Sequence, residues 1–472
     1  MYRNMVKDTA LFAISNFGSK ILVFLLTPLY TAVLTTSEYG IVDIIVTTVN
    51  FVYPLLTLSI AEATLRFALD KEKSKQEVLS CSLLFTVLSI VLLLCVYPFI
   101  SRFGILNVTD YGIYFILIFA FFNINNTFSN FLKGIGKTKL FAITGILQTV
   151  AIIVSNVVFL VFCRMGVVGY LLSIVIGYAI PATVAFFFGG IYKYLFSFRI
   201  SSDIVKEMLK YSIPMIPTLL AWSINTSIDK YMIIACCGVE DNGLYSVAHK
   251  IPTLLTTVTT IFLQAWQISA VVSYEKDNKD YTEVYRVLNT VNLFATMAVI
   301  ILAKFMASFL FSKDFYAAWK FVPFLTVSAF YSTASGFLAS SFRAAKKTKS
   351  LFVSVTLGAL INILLNVILL NWLSTLGASI ATAVSFGIVW MMRIVLVQKV
   401  TPIRINVTTT VLSQVLLFAA AAIYSLEIKY SLIFTAVIFL AITLINFKDL
   451  KKIFMDIMGT LCNFLKKRRC KK

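Results

Sequence analysis

The sequence predicts an all-α integral membrane protein of about fourteen transmembrane helices, arranged as two parallel six-helix repeats that form N- and C-lobes with two further helices appended. Three observations carry this expectation. Hydrophobic residues make up 59% of the chain and charged residues 13%, against roughly 45–50% and about 25% in soluble domains. Uncharged apolar runs of about 20 residues, long enough to cross a hydrocarbon core of about 30 Å, recur along the chain. Short sequence matches also recur at a nearly constant offset.

The runs place spans at 9–31, 41–62, 79–101, 112–132, 140–163, 167–190, 210–232, 243–272, 286–311, 320–342, 350–373, 375–397, 407–425 and 430–447. Polar Asn16, Ser19 and Lys20 interrupt the first run, so it reads as a retained span and not as a cleavable signal peptide. With a cytoplasmic N-terminus, the inside segments hold 32 of the 41 Lys and Arg residues, the outside connections hold five, and four lie within spans. That asymmetry orients both termini to the cytoplasm. The net charge of +20 is thereby explained by topology, and nucleic acid is not expected as a partner. The tail 448–472 places Ile453, Phe454, Ile457, Met458, Leu461 and Leu465 opposite a basic face, as an amphipathic helix on anionic membrane lipids would.

Seven cysteines without CxxC spacing and a single histidine, His249, indicate neither a disulfide framework nor a metal site, and no cofactor is expected. Gly136-Lys137-Thr138 resembles the end of a phosphate-binding loop, but Phe131 stands where that motif needs its first glycine.

The repeat organises the chain. Ser37-Glu38-Tyr39-Gly40-Ile41 matches Glu240-Asp241-Asn242-Gly243-Leu244 at an offset of 203, while Lys137-Thr138-Lys139 matches Lys347-Thr348-Lys349 and Gly177 matches Gly387 at 210. This predicts an N-lobe at 1–200, a C-lobe at 201–400, two appended spans at 401–447 and the basic tail. Because six is even, the copies share one orientation, and parallel repeats place a substrate path at their interface with access by rocking.

Ionisable residues inside spans are costly and therefore informative. Lys20 lies about 12 residues into span one, roughly 18 Å deep at about 1.5 Å per residue, with Asn16 one turn earlier. It reads either as a contact for a substrate phosphate or as a lysine paired with Asp43 or Asp229. Asn225, Asp229 and Lys230 follow one another in span seven near Pro214 and Pro217. Asp229-Lys230 reads as an ion pair, as a substrate contact or as an ion-coupling site. Lys250 and Lys304 lie nearer the outer surface, where snorkelling accounts for them. Four lysines against Asp43, Glu62 and Asp229 give the spans a weakly cationic balance, suited to a pyrophosphate or an acidic sugar. The asparagines at 50, 123, 125, 126, 156, 225, 362 and 366 read as sugar ligands or as interhelical hydrogen-bonding groups.

The segment Asn16 to Leu34 with Pro28-Leu29-Tyr30-Thr31, then Glu38-Tyr39-Gly40, and later Asp229-Lys230 with Gly243-Leu244-Tyr245-Ser246-Val247-Ala248-His249-Lys250-Ile251, resembles the Wzx-type polysaccharide and O-antigen flippases. Those belong to the multidrug/oligosaccharidyl-lipid/polysaccharide exporter superfamily. The resemblance implies a non-enzymatic flippase that moves an undecaprenyl-pyrophosphate-linked oligosaccharide from the inner to the outer leaflet of a bacterial plasma membrane. The product would serve O-antigen, capsule or exopolysaccharide assembly, with polysaccharide polymerase machinery as a neighbour. It also implies that Lys20, Lys230 and Lys250 receive the anionic head; from their places in the spans, Asn16, Asn225 and Asp229 read as further substrate contacts and Asp43, Glu62 and Asp229 as ion-coupling candidates. A peptidoglycan-precursor flippase and a drug antiporter of the same fold are the alternative readings. A membrane-embedded glycan polymerase is a distant one, since the outside connections are short.

Overall fold

The computed structural model describes residues 24–102, 109–195, 199–273, 279–345, 347–453 and 455. Among them every regular element is helical and no strand occurs. The contacts divide the chain into two compact units, Met1–Val247 with Leu310–Phe315, and Ala248–Phe309 with Tyr316–Lys472.

The first unit contains α1 (Thr27–Val33), α2 (Thr36–Leu56), α3 (Ile60–Leu69), α4 (Lys75–Arg102), α5 (Gly112–Gly134), α6 (Thr138–Asn156), α7 (Gly166–Phe188), α8 (Ile191–Leu195), α9 (Ser202–Ser212), α10 (Ile216–Cys236) and α11 (Val239–Ala248). Its helices reverse the pattern of a soluble bundle. Leu88 and Leu92 on α4, and Ile146, Val150 and Val154 on α6, form exposed apolar stripes at four-residue spacing, the surface that lipid requires. The interior mixes bulky apolar groups, such as Phe119, Phe131 and Ile45, with small polar ones. Thr64 Oγ1 lies 2.7 Å from Ser82 Oγ, and Asn123 Nδ2 donates to Ser89 Oγ at 2.7 Å. With no water to compete, such pairs hold helices together where apolar burial alone gives little preference.

The second unit contains α12 (Lys250–Ser273), α13 (Lys279–Leu310), α14 (Val322–Ala344), α15 (Thr348–Val397), α16 (Val407–Ser425) and α17 (Ser431–Ile445). α14 is its buried centre, packed against α12, α15 and α16, with Phe330, Phe337 and Leu338 fully enclosed.

Nine helices among the described residues are long and apolar enough to cross a membrane, ten if Ser431–Ile445 and the following Phe447–Ile453, bent by 70°, count as one. The helix from 349 to 397 covers two expected spans, and Ser374, with φ 48° and ψ −141°, breaks it between them. Of the remaining expected spans, 9–31 lies largely outside the described residues. Those at 210–232 and 243–272 correspond to α10 and to α11 with α12, whose threonines, Asn225, Asp229 and Lys230 leave them too polar for the count.

Two expected spans are corrected in detail. The span at 41–62 ends at Leu56, where Pro54 has removed a backbone donor and Leu58 and Ser59 turn left-handed (φ 50° and 53°). Glu62 therefore sits on α3 and not on the helix that carries Asp43. The span at 243–272 is interrupted at His249, between α11 and α12. The predicted amphipathic tail lies outside the described residues beyond Met455.

Candidate functional site

Two glycines bring the candidate residues together. A Cβ on Gly40 of α2 would lie 2.2 Å from Val239 O, and one on Gly243 of α11 would lie 1.9 Å from Thr36 O. Only hydrogen at both positions lets these helices meet backbone to backbone. Asn242 Nδ2 donates across the contact to Gly40 O at 3.1 Å. Gly40 and Gly243 are counterparts in the repeat, and each stands within 3.2 Å of the other's backbone nitrogen when given a Cβ. Two residues matched in sequence at an offset of 203 thus face each other.

One turn further along, the same contact becomes polar. Lys230 Nζ on α10 lies 2.9 Å from Asp43 Oδ1 and 2.8 Å from Oδ2, and it donates to Thr47 Oγ1 at 3.3 Å. Ser246 Oγ, the repeat counterpart of Asp43 at an offset of 203, donates to Asp43 Oδ2 at 2.7 Å. The lysine and aspartate side chains are 17% and 16% exposed, partly shielded but open to a ligand. Beside them Tyr231 donates to Thr48 Oγ1 at 3.0 Å. The buried Asp229 accepts from the Tyr245 hydroxyl at 3.0 Å.

The structure thus joins Asp43, Lys230 and Asp229 in one neighbourhood, but with divided partners. Adjacent in sequence on a helix, Asp229 and Lys230 point about 100° apart, so Lys230 pairs with Asp43 and Asp229 with Tyr245. Asn225, one turn before Asp229, is 1% exposed, and its Oδ1 has no hydrogen-bond partner among the described residues. Glu62 on α3 makes no hydrogen bond or ion pair to this group among the described residues. Lys20 and Asn16 lie outside the described residues. Lys250 opens α12 in the second unit, partly buried.

Three groups were not singled out from the sequence. Ser246 and Tyr245 lie within the Gly243 to Ile251 segment without having been assigned a role; projecting Asp43 through the offset of 203 would have found Ser246. Arg393, near the end of the expected span at 375–397, is buried in α15 at 5% exposure. Its Nε donates to Ser354 Oγ and one terminal nitrogen to Ser335 O, both at 3.0 Å, and those neutral acceptors are what allow a guanidinium to enter the helix bundle. Lys304 does not simply snorkel. Its Nζ sits 4.2 Å from the Trp319 ring centroid and 3.6 Å from Glu427, which Lys320 approaches to 2.9 Å. The hydrogen bond from Lys320 holds the Glu427 carboxyl below its ordinary pKa. Three of the asparagines bond across helices, Asn123 to Ser89 at 2.7 Å, Asn126 to Tyr53 at 2.6 Å and Asn362 to Ser385 at 3.4 Å, while Asn50 and Asn156 donate to carbonyls of their own helices.

A chain of long apolar-faced helices with polar, charge-bearing contacts inside them is a multi-pass integral membrane protein. Residues 5–267, more than half of its 472 residues, match the model of the family described as polysaccharide biosynthesis protein; the chain belongs to that family. Its fold is similar to that of the lipid II flippase MurJ in an inward closed conformation, at TM-score 0.68 and 18% identity, over 93% of this chain and 99% of the flippase. It is also similar to an inward-facing multidrug resistance MATE family transporter of the MOP superfamily, at TM-score 0.67 and 16% identity, over 82% and 98% of the two chains. A MOP superfamily transporter from Pyrococcus furiosus matches at TM-score 0.60 and 16% identity, over 84% and 96%. An uncharacterized membrane protein of Methanocaldococcus jannaschii is 22% identical over 303 residues, 57% of this chain and 67% of that protein.

Proposed function

We propose that this chain flips an undecaprenyl-pyrophosphate-linked oligosaccharide from the inner to the outer leaflet of a bacterial plasma membrane, with both termini cytoplasmic, for O-antigen, capsule or exopolysaccharide assembly. Membership of the polysaccharide biosynthesis family carries this reading. The contact of repeat-related residues at Gly40 and Gly243 supports it, because such a contact is what two parallel six-helix lobes that rock about a common axis provide.

Lys230 serves in two ways in this reading. In the present arrangement Asp43 holds its charge. When the lobes move, the ammonium exchanges the carboxylate for a substrate phosphate, as a point charge without the bidentate fit of arginine. Lys20 and Lys250 receive the same anionic head, with Asn16 and Asn225 toward the sugar. The carboxylate released from Lys230, Asp43, then takes up the coupling ion or proton, with Asp229 and Glu62 as further carriers.

A peptidoglycan lipid precursor is the second substrate class. The likeness of fold to the lipid II flippase MurJ, over 93% of this chain, supports it. A null strain separates the readings. Loss of surface glycan with precursor held on the cytoplasmic side is expected for the first. Lethality with lipid II accumulation would point to the second, and drug hypersensitivity alone would refute both. In the complemented strain, Lys20→Ala abolishes export at normal membrane level and Lys20→Arg retains part of it. Full export by the alanine variant would remove Lys20 from the site.

A further inference from the structure

A cavity of about 390 Å³ opens in the second unit where α13, the connection 398–406 and α16 meet the end of α17. Its volume is in the range of small-ligand pockets, about 300–1,000 Å³. Three cations from three separate segments line it: Arg286 on α13, Arg404 in the connection and Lys448 beyond α17. Against them stands one carboxylate, Asp449, 3.6 Å from Arg286. Neither Arg404 nor Lys448 makes an ion pair among the described residues. The neighbouring Lys452 is already matched to Glu283 at 2.5 Å.

The walls are fixed. Arg404 N–H donates to Thr282 Oγ1 at 3.3 Å, and the Gln398 amide clasps Ile403 through both of its backbone groups at 2.9 and 3.2 Å. Asn446 ties α17 to α16 through Ser413 Oγ at 3.0 Å. Asn406 caps α16, so the positive end of a 19-residue helix adds to the potential in the cavity. Ile405 and Ile445 supply an apolar edge. Leu444, 75% exposed, and Phe447, 56% exposed, flank Ile445 and Asn446 in sequence.

We propose that this cavity binds the phosphate of an anionic lipid headgroup. Arg404 and Lys448 take the phosphate oxygens, Arg286 is shared between the ligand and Asp449, and the apolar edge receives the start of the acyl chains. A single-charged loop would be accounted for by membrane orientation alone. Three cations from separate segments converging on one half-open cavity with a single carboxylate are not. The site is independent of which substrate the protein carries.

The test uses the full chain in neutral detergent, titrated with short-chain phosphatidylglycerol, short-chain phosphatidylcholine and inorganic pyrophosphate. Phosphatidylglycerol is expected to bind and phosphatidylcholine to bind weakly or not at all. Both Arg404 and Lys448 are exposed, so R404Q/K448Q removes charge without removing packing. It is expected to weaken phosphatidylglycerol binding roughly thirty-fold, about five-fold per basic residue. The charge-matched pair K71Q/K139Q is expected to bind as the unmodified chain does. Pyrophosphate binding of equal strength, lost in the same variant, would assign the site to a free phosphate and overturn the lipid. Equal binding by R404Q/K448Q and the parent chain, equal loss in both double variants, or no binding by any probe would overturn the site.

Discussion

Replacing Lys230 by Met and Asp43 by Asn, singly and together, measures what the central ion pair contributes. The single Lys230→Met variant keeps an Asp43 carboxylate that still accepts from Ser246 at 2.7 Å but has lost the ammonium at 2.8 Å. Stranding one member of a fully buried pair costs about 3–5 kcal/mol. Here the two side chains are 17% and 16% exposed, so water recovers part of that, and about 2–3 kcal/mol is expected for either single variant. In the double variant no charge is stranded, and the cost falls well short of the sum. The coupling should be about 1.5–2.5 kcal/mol, within the range of contacting residues. Equilibrium unfolding of the four purified chains in mixed micelles reads it directly. Additivity within about 0.5 kcal/mol would show that the pair is not held in the folded protein and would remove the reason for treating Asp43 as the partner that a substrate phosphate displaces.

Gly243→Ala places a methyl 1.9 Å from Thr36 O, where only backbone can yield; a loss of about 3 kcal/mol or more is expected by the same unfolding measurement, with Gly243→Ser no better. Arg393→Lys cannot reproduce the fork to Ser354 and Ser335, and the protein should lose about 1–3 kcal/mol while Arg393 is the only residue changed. Glu427 has a folded pKa below its unfolded one, so the stability it contributes is present above the ordinary carboxylate value of about 4.3 and is lost as pH falls through the depressed folded value. Its side chain is 48% exposed, which limits the effect to a few tenths of a kcal/mol. The acid limb of the unfolding curve should therefore be slightly steeper in the parent than in Glu427→Gln.

The spans were legible because lipid tolerates only helices whose own backbone is satisfied, which writes long uncharged runs into the sequence. Breaks within them were not. Leu58, Ser59 and Ser374 adopt left-handed backbone without the glycine that normally announces it, and Pro54 gave notice only of a weakened helix. The sequence matches at an offset of 203 drew attention to Gly40 and Gly243, and the structure places those two residues against each other. The ion pair was only half legible. Periodicity along α10 separates Asp229 from Lys230, but nothing local names a partner 187 residues away. Arg393 was hidden for the opposite reason: a cation near the end of a span looks like a topology signal until its acceptors, 39 and 58 residues away, are seen.

The central claim concerns movement of a lipid-linked glycan, and reconstitution tests it most directly. Purified chain in sealed vesicles, loaded on one leaflet with undecaprenyl-pyrophosphate-linked oligosaccharide, should render the glycan accessible to an external lectin or glycosidase, and Lys230→Ala should abolish that exposure while folding normally. Exposure at the protein-free rate, with the chain folded and correctly inserted, would contradict the account.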